Sequence, residues 1–203
     1  MEPLAPTPLD PPKINVGIPE PEPEKPRTVQ RHEGFYTRAS IGPVYGGTKV
    51  STDSSTHSDY WVDGFGLEFD LLMGGSPSVG FATGGALSLQ GFGGGGQSSG
   101  LVLVGAFVDG FPSAAQGFHF GGQAGLAYVT TGTKNNIDEM GGLGAGVSFW
   151  FGHGFWVADD WSLGGLLRFN GAIAWDGSGG GPNPAALRAT TYDVGLLVSV
   201  TYH

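Results

Sequence analysis

The sequence predicts an all-β fold: an eight-stranded antiparallel up-and-down transmembrane β-barrel behind a disordered Pro-rich N-terminal tail. Three observations carry that expectation. First, residues 192–202 alternate without a break, with Tyr192, Val194, Leu196, Val198, Val200 and Tyr202 on one face and Asp193, Gly195, Leu197, Ser199 and Thr201 on the other. A two-residue period marks a strand with one apolar surface, and about eleven residues is the length a tilted strand needs to cross a bilayer. Second, the 203 residues include 39 glycines and 12% aromatics but only 13% charged residues, where soluble domains carry about 25%. Third, eight such segments follow one another, joined by connections of alternating length.

Residues 1–33 hold nine of the 14 prolines, no aromatic residue and one glycine, Gly17. Proline alternating with charge, as in PEPEPEKP, favours extended polyproline conformations and does not pack. This segment reads as an extended linker on the side where the chain enters the barrel. The barrel itself is expected over 34–203, with strands at 34–47, 59–72, 78–91, 100–110, 116–129, 141–156, 161–175 and 189–203. The connections after the odd-numbered strands (TKVSTDSSTHS, GFGGGGQSS, TTGTKNNIDEM and DGSGGGPNPAALR) are longer than MGGSPS, FPSAA and VADD after the even-numbered ones. Long loops on one rim and tight turns on the other are the pattern of a meander barrel.

Parity assigns the faces. In the first strand Phe35, Ala39, Ile41 and Tyr45 oppose Tyr36, Arg38, Ser40 and Gly42. In the second, Trp61, Phe65, Leu67, Phe69 and Leu71 oppose Gly64, Gly66, Glu68 and Asp70, with Asp63 out of pattern near the outer end. The third sets Val79, Phe81, Leu87 and Leu89 against Gly80, Ala82, Ser88 and Gln90. The fourth, LVLVGAFV, is apolar on both faces. The fifth sets Phe118, Phe120, Ala124, Leu126 and Tyr128 against His119, Gly121, Gln123 and Gly125. In the seventh, Trp161, Leu163, Leu167, Phe169, Ile173 and Trp175 oppose Ser162, Gly164, Arg168, Asn170 and Ala172, with Leu166 the exception. Bulky apolar groups therefore face lipid, and small or polar groups face the interior.

An eight-stranded barrel has an interior just wide enough for side chains to fill it. A polar network of Arg38, Glu68, Asp70, Gln123, Arg168 and Asp193 is expected there, because an isolated buried charge costs several kcal/mol. Arg38 and Glu68, on adjacent strands at nearly the same height, are the expected pair; the alternative is that one or both reach water at the barrel mouth. Aromatic girdles are expected at the two headgroup levels. Tyr60, Trp61, Tyr128, Trp175 and Tyr192 form the outer one, and Phe35, Phe155, Trp156, Trp161 and Tyr202 the inner.

Other chemistries find little support. The chain has no cysteine, which removes disulfides and thiolate chemistry. A net charge of −9 with nine Lys and Arg argues against nucleic acid. The longest apolar run, 101–108, is far short of the roughly twenty residues of a membrane helix. The start, MEPLAPTPLD, lacks the basic and apolar regions of an export signal, so an exported barrel would be present here in mature form, as an engineered version or with a misplaced start; otherwise the outer-membrane expectation fails. The histidines show no metal-ligand spacing on one face; His119 points inward, and His153, between two glycines near a turn, reads as structural. His57, in SSTHSD, offers Ser, His and Asp side by side, but a triad needs convergence in a rigid frame. Asp138–Glu139 and Asp159–Asp160 lack a calcium loop and read as solvated turns. No cofactor is expected.

The segments GFYTRASIGPVYG, WVADDWSLGGLLRF and TYDVGLLVSVTYH make 34–203 resemble a small bacterial outer-membrane β-barrel of the OmpA/OmpX type, a porin-like family. The closing strand resembles the assembly signal of such barrels, through Asp193, Gly195, Val198 and Val200; members commonly finish on an aromatic residue, whereas Tyr202 is followed here by His203. The resemblance implies a bacterial (Gram-negative) outer-membrane location in the cell envelope, with the tail and both chain ends periplasmic. It also implies contact with outer-membrane lipid and recognition by the barrel-insertion machinery through the last strand. The function expected first is a structural anchor or surface-interaction protein acting through its extracellular loops, without catalysis. A narrow pore for water or small solutes is the alternative, followed by a lipid-acting membrane enzyme and a soluble lipocalin-like ligand-binding barrel.

Overall fold

The computed structural model describes residues 34–52, 59–113, 117–133, 140–176 and 187–203. The expected tail lies outside them, as do His57 and Asp138–Glu139. The strands are β1 (Gly34–Thr52), β2 (Tyr60–Ser78), β3 (Phe81–Gly94), β4 (Gln97–Gly110), β5 (Phe118–Thr133), β6 (Met140–Trp156), β7 (Trp161–Asp176) and β8 (Leu187–Tyr202). Each pairs antiparallel with the next, and β1 pairs with β8, so the sheet closes in sequence order as an eight-stranded up-and-down barrel. No helix occurs among the described residues.

The strands are longer than expected from alternation alone, at 14 to 19 residues, against the ~9–11 that suffice to cross a bilayer. They extend into stretches of glycine, threonine and serine that lack a clear apolar period yet still pair. The largest correction falls on GFGGGGQSS, expected as a long loop. It is strand, turn and strand: Gly94 pairs with Gln97, and Gly95 (φ 62°) and Gly96 (φ 86°) make the two-residue turn. Two consecutive positive φ values define the hairpin turn whose twist suits antiparallel strands, and glycine reaches them without strain. The strict alternation of long and short connections therefore fails at this corner.

Closure at small radius also needs close backbone approach. Gly105 of β4 and Gly125 of β5 face each other across the ladder. A Cβ on Gly125 would fall on the Val104 carbonyl oxygen, and one on Gly105 on that of Ala124. Glycines at such points let the sheet coil. At the closing seam the β1–β8 ladder runs from Thr37↔Tyr202 to Ile41↔Val198, skips Gly42 and Pro43, and resumes at Val44↔Gly195. Proline has no N–H to give to a ladder.

Inside, two apolar clusters flank a polar band. Tyr36, Leu72, Phe107, Phe111, Trp150, Leu166 and Leu197 pack at the short-turn end with Ala82 and Ala86. Val50, Leu101, Leu103, Val129 and Met140 pack toward the other rim with four alanines, Ala127, Ala172, Ala174 and Ala189. The expectation of only small and hydrophilic inward groups is thus corrected. β4 turns Leu101, Leu103 and Phe107 inward and Val102, Val104 and Val108 outward, because a lumen too narrow for bulk water must be filled. Replacing Gly125 with valine is expected to destabilise the barrel by about 2 kcal/mol or more through overpacking against backbone, measured by urea unfolding of the refolded protein; replacing the outward Gly85, where a Cβ meets nothing, is expected to be near neutral.

Candidate functional site

The interior is organised around Arg168 of β7. Its Nη1 donates to Asp70 Oδ2 (2.7 Å), and its Nη2 to Ser88 Oγ (2.6 Å), Gln123 Oε1 (2.9 Å) and Ser148 Oγ (2.9 Å). Its Nε donates to Asn170 Oδ1 at 2.9 Å and lies 3.0 Å from Glu68 Oε1. Asn170 in turn donates from Nδ2 to Glu68 Oε1 (2.9 Å) and Asp193 Oδ1 (2.6 Å). One guanidinium thus reaches groups on β2, β3, β5 and β6, and its neighbour carries the network to β8. The planar fork of arginine, with five N–H donors, suits a ring of acceptors supplied by surrounding strands.

A second centre lies toward the short-turn rim. Asp109 of β4 accepts at Oδ2 from Tyr36 Oη (2.8 Å) and Arg38 Nη1 (2.7 Å) and at Oδ1 from Trp150 Nε1 (3.1 Å), and His119 Nδ1 lies 3.2 Å from the same Oδ1. Arg38 and Arg168 both lie against the Trp150 indole, at 4.6 and 5.2 Å from its ring centre. The indole therefore bridges the two centres through cation–π contact. At the rim itself His203 packs against Tyr36, Phe111 and Trp156, and its Nε2 lies 3.1 Å from Ser162 Oγ.

All six residues expected in the interior lie there: Arg38, Glu68, Asp70, Gln123, Arg168 and Asp193 are each at most 5% exposed. The expected pairing of Arg38 with Glu68 is corrected. Arg38 sits opposite Leu72 and Glu68 opposite Gly42, so the two are offset by four residues. Arg38 reaches across the lumen to Asp109, and Glu68 to Arg168. Sequence reasoning missed Asp109, Trp150 and the role of Tyr36. The signal for Asp109 was its parity with Leu103 and Phe107, and for Trp150 its parity with Ser148 against Phe149 and Phe151.

The outer wall is apolar. Phe65, Leu67, Leu126, Leu143, Phe155, Leu196 and Val198 are each about two-thirds exposed or more. Trp61, Tyr128, Trp175 and Tyr192 lie on this wall toward the long-connection rim, and Phe35, Phe155 and Trp161 toward the other. Tyr202 is half-buried between Phe35 and Trp161. Asp63 also faces out, where it accepts from Tyr45 Oη at 3.0 Å. Two expected girdle residues face inward instead. Tyr60 has the parity of Glu68 and packs on the upper apolar cluster, its hydroxyl 2.8 Å from Thr131 Oγ1. Trp156 has the parity of Trp150 and lines a cavity at the rim with Phe111, His119 and Ser162. Strand parity overrides the preference of aromatics for the headgroup level.

A sealed, charged interior within an apolar wall, closed by eight antiparallel strands, is the fold of the small outer-membrane β-barrels. Among solved structures the chain is similar to the outer membrane protein OprG of Pseudomonas aeruginosa, with 9% identity, 86% of this chain and 99% of that chain covered, and a TM-score of 0.50. It also matches Neisserial surface protein A (14% identity, 83% and 96% covered, TM-score 0.47) and the outer membrane protease OmpT of Escherichia coli (10%, 87% and 99%, 0.45). No family model matches the chain, and no curated protein matches it in sequence.

Removing the Arg168 guanidinium leaves Glu68 and Asp70 without their near countercharge, so Arg168→Ala is expected to cost about 3–5 kcal/mol. A double-mutant cycle separates the two centres. Arg38 and Asp109 are expected to couple by at least about 1.5 kcal/mol, and Arg38 and Glu68 by less than about 0.5 kcal/mol, in equilibrium unfolding.

Proposed function

We propose that this chain is an integral outer-membrane β-barrel that acts as a structural anchor or surface-interaction protein, meeting its surroundings through the loops of one rim and performing no catalysis of its own. The observation that carries the reading is the inversion of an ordinary protein. Charged groups such as Arg38, Asp109 and Arg168 are fully buried, while Phe65 and Leu126 stand out from the wall at 77% and 74% exposure. An apolar surface of this extent is unstable in water and stable against acyl chains. A soluble lipocalin-like carrier requires the opposite arrangement.

The location proposed is the bacterial outer membrane, with the short-turn rim, the preceding tail and both chain ends on the periplasmic side. The wall aromatics at each rim would sit at the headgroup levels. The partners proposed are outer-membrane lipid and, through β8, the barrel-insertion machinery. The segments 53–58, 134–139 and 177–186, which would meet an external partner, lie outside the described residues.

Packing of the lumen favours an anchor over a pore. Trp150, Arg38, Arg168, Tyr36, Phe107, Leu72 and Leu103 are all fully buried within the barrel, and the two apolar clusters close the polar band from both sides. The chain is expected to resist carbonate extraction and to change electrophoretic mobility on boiling. Release by carbonate would overturn the membrane reading. Planar bilayers containing the refolded protein are expected to show no stepwise conductance; discrete channel events would replace the anchor with the pore.

A further inference from the structure

One imidazole on the outer wall has no hydrogen-bond partner among the described residues. His153 of β6 faces outward, in register with Phe118 of β5 and Gly165 of β7, and Gly165 is in register with Val198 of β8. Gly165 supplies no side chain between them, and the wall is notched there. The result is a groove of about 380 Å³, lined on the outside by Phe118, Phe151, His153, Leu167 and Leu196 with Gly165 as its floor. A Cβ at Gly165 would meet only the Leu197 carbonyl oxygen, at an ordinary 3.8 Å, so the notch is open space and not a strained approach.

The His153 ring rests on Phe155 at 4.6 Å between centres, an apolar contact that satisfies neither ring nitrogen. Asp63, the polar outlier on the opposite half of the wall, accepts a hydrogen bond from Tyr45. His153 has no comparable partner among the described residues. A neutral imidazole carries one N–H donor and one acceptor, and at the rim of a lipid-facing wall its partners are headgroup oxygens or water. His153 lies three residues from the end of β6 at Trp156, close to the depth where acyl chains end in ester and phosphate oxygens.

The geometry points to a bound phospholipid on this face, with one acyl chain laid in the Gly165 groove and the His153 N–H donating to an ester or phosphate oxygen at the head of that chain. The site rests on the membrane reading above and adds a defined lipid to it. Phospholipid fits better than a second copy of this chain because the groove continues the apolar wall and offers a single donor at one end. A neighbouring groove of about 360 Å³, lined by Ala39, Ile41, Phe69, Leu163, Val198 and Val200, is comparable in size but has no titratable group, and serves as the internal comparison.

The test is native mass spectrometry of the full chain after reconstitution into vesicles of phosphatidylethanolamine and phosphatidylglycerol and release into detergent. The wild-type barrel is expected to retain one phospholipid. His153→Leu, which removes the donor, is expected to lower retention about tenfold, the scale of one hydrogen bond at the upper end of its net strength, and Gly165→Leu, which fills the notch, to lower it at least as far. His153→Gln, which keeps an N–H donor, is expected to restore most of it, and Ala39→Leu in the neighbouring groove to leave it unchanged. Barrel insertion is scored separately by heat-modifiable mobility. An inserted wild-type barrel that retains no lipid, retains a second barrel instead, or loses nothing on Gly165→Leu overturns the site and leaves the membrane reading standing. Failure of the wild-type chain to insert overturns both.

Discussion

Eight strands closed on themselves leave an interior just wide enough for side chains to fill, and the rest of this molecule follows from that limit. Each inward side chain must find a partner inside or be apolar. The interior accordingly divides into a band where Arg168 gathers oxygen acceptors from strands across the lumen and two apolar clusters above and below it. Trp150 belongs to both worlds. Its ring contacts the two arginines, and its N–H reaches Asp109, so the greasy and charged layers are continuous.

The outer wall obeys a complementary rule. The wall carries bulky hydrocarbon, and its few polar groups are mostly tied to local partners. Tyr45 and Asp63 supply each other's. Thr37 and Thr83 turn their hydroxyls back onto strand carbonyls, at 3.0 and 2.8 Å. His153 departs from this self-sufficiency, which is why the notch beside it stands out from the remaining wall.

Much of the architecture was legible in the sequence because an apolar wall and a narrow lumen impose opposite demands on alternate residues. β1, β2, β5, β7 and β8 show that contrast plainly, and the inward charged residues follow from it. β4 does not, since Leu101 and Val102 are equally apolar; Asp109 was lost with it. Pairing across the lumen was not legible at all. It depends on register and stagger, which place Arg38 nearer to Asp109 than to Glu68 although β1 adjoins β2. Glycine obscured GFGGGGQSS for a different reason: it is at home in strands that coil, in tight turns and in loops alike.

The interrupted ladder at Gly42 and Pro43 has a consequence for how this cylinder is fastened. The joint between the first and last strands consists of two separate zips, one from Thr37 to Ile41 and one from Val44 to Thr52. The upper zip is reinforced from within by Thr48, whose hydroxyl meets Thr191 at 2.8 Å and Ser99 at 2.7 Å. Fraying that begins at the lower edge therefore meets a break before it meets the reinforced half.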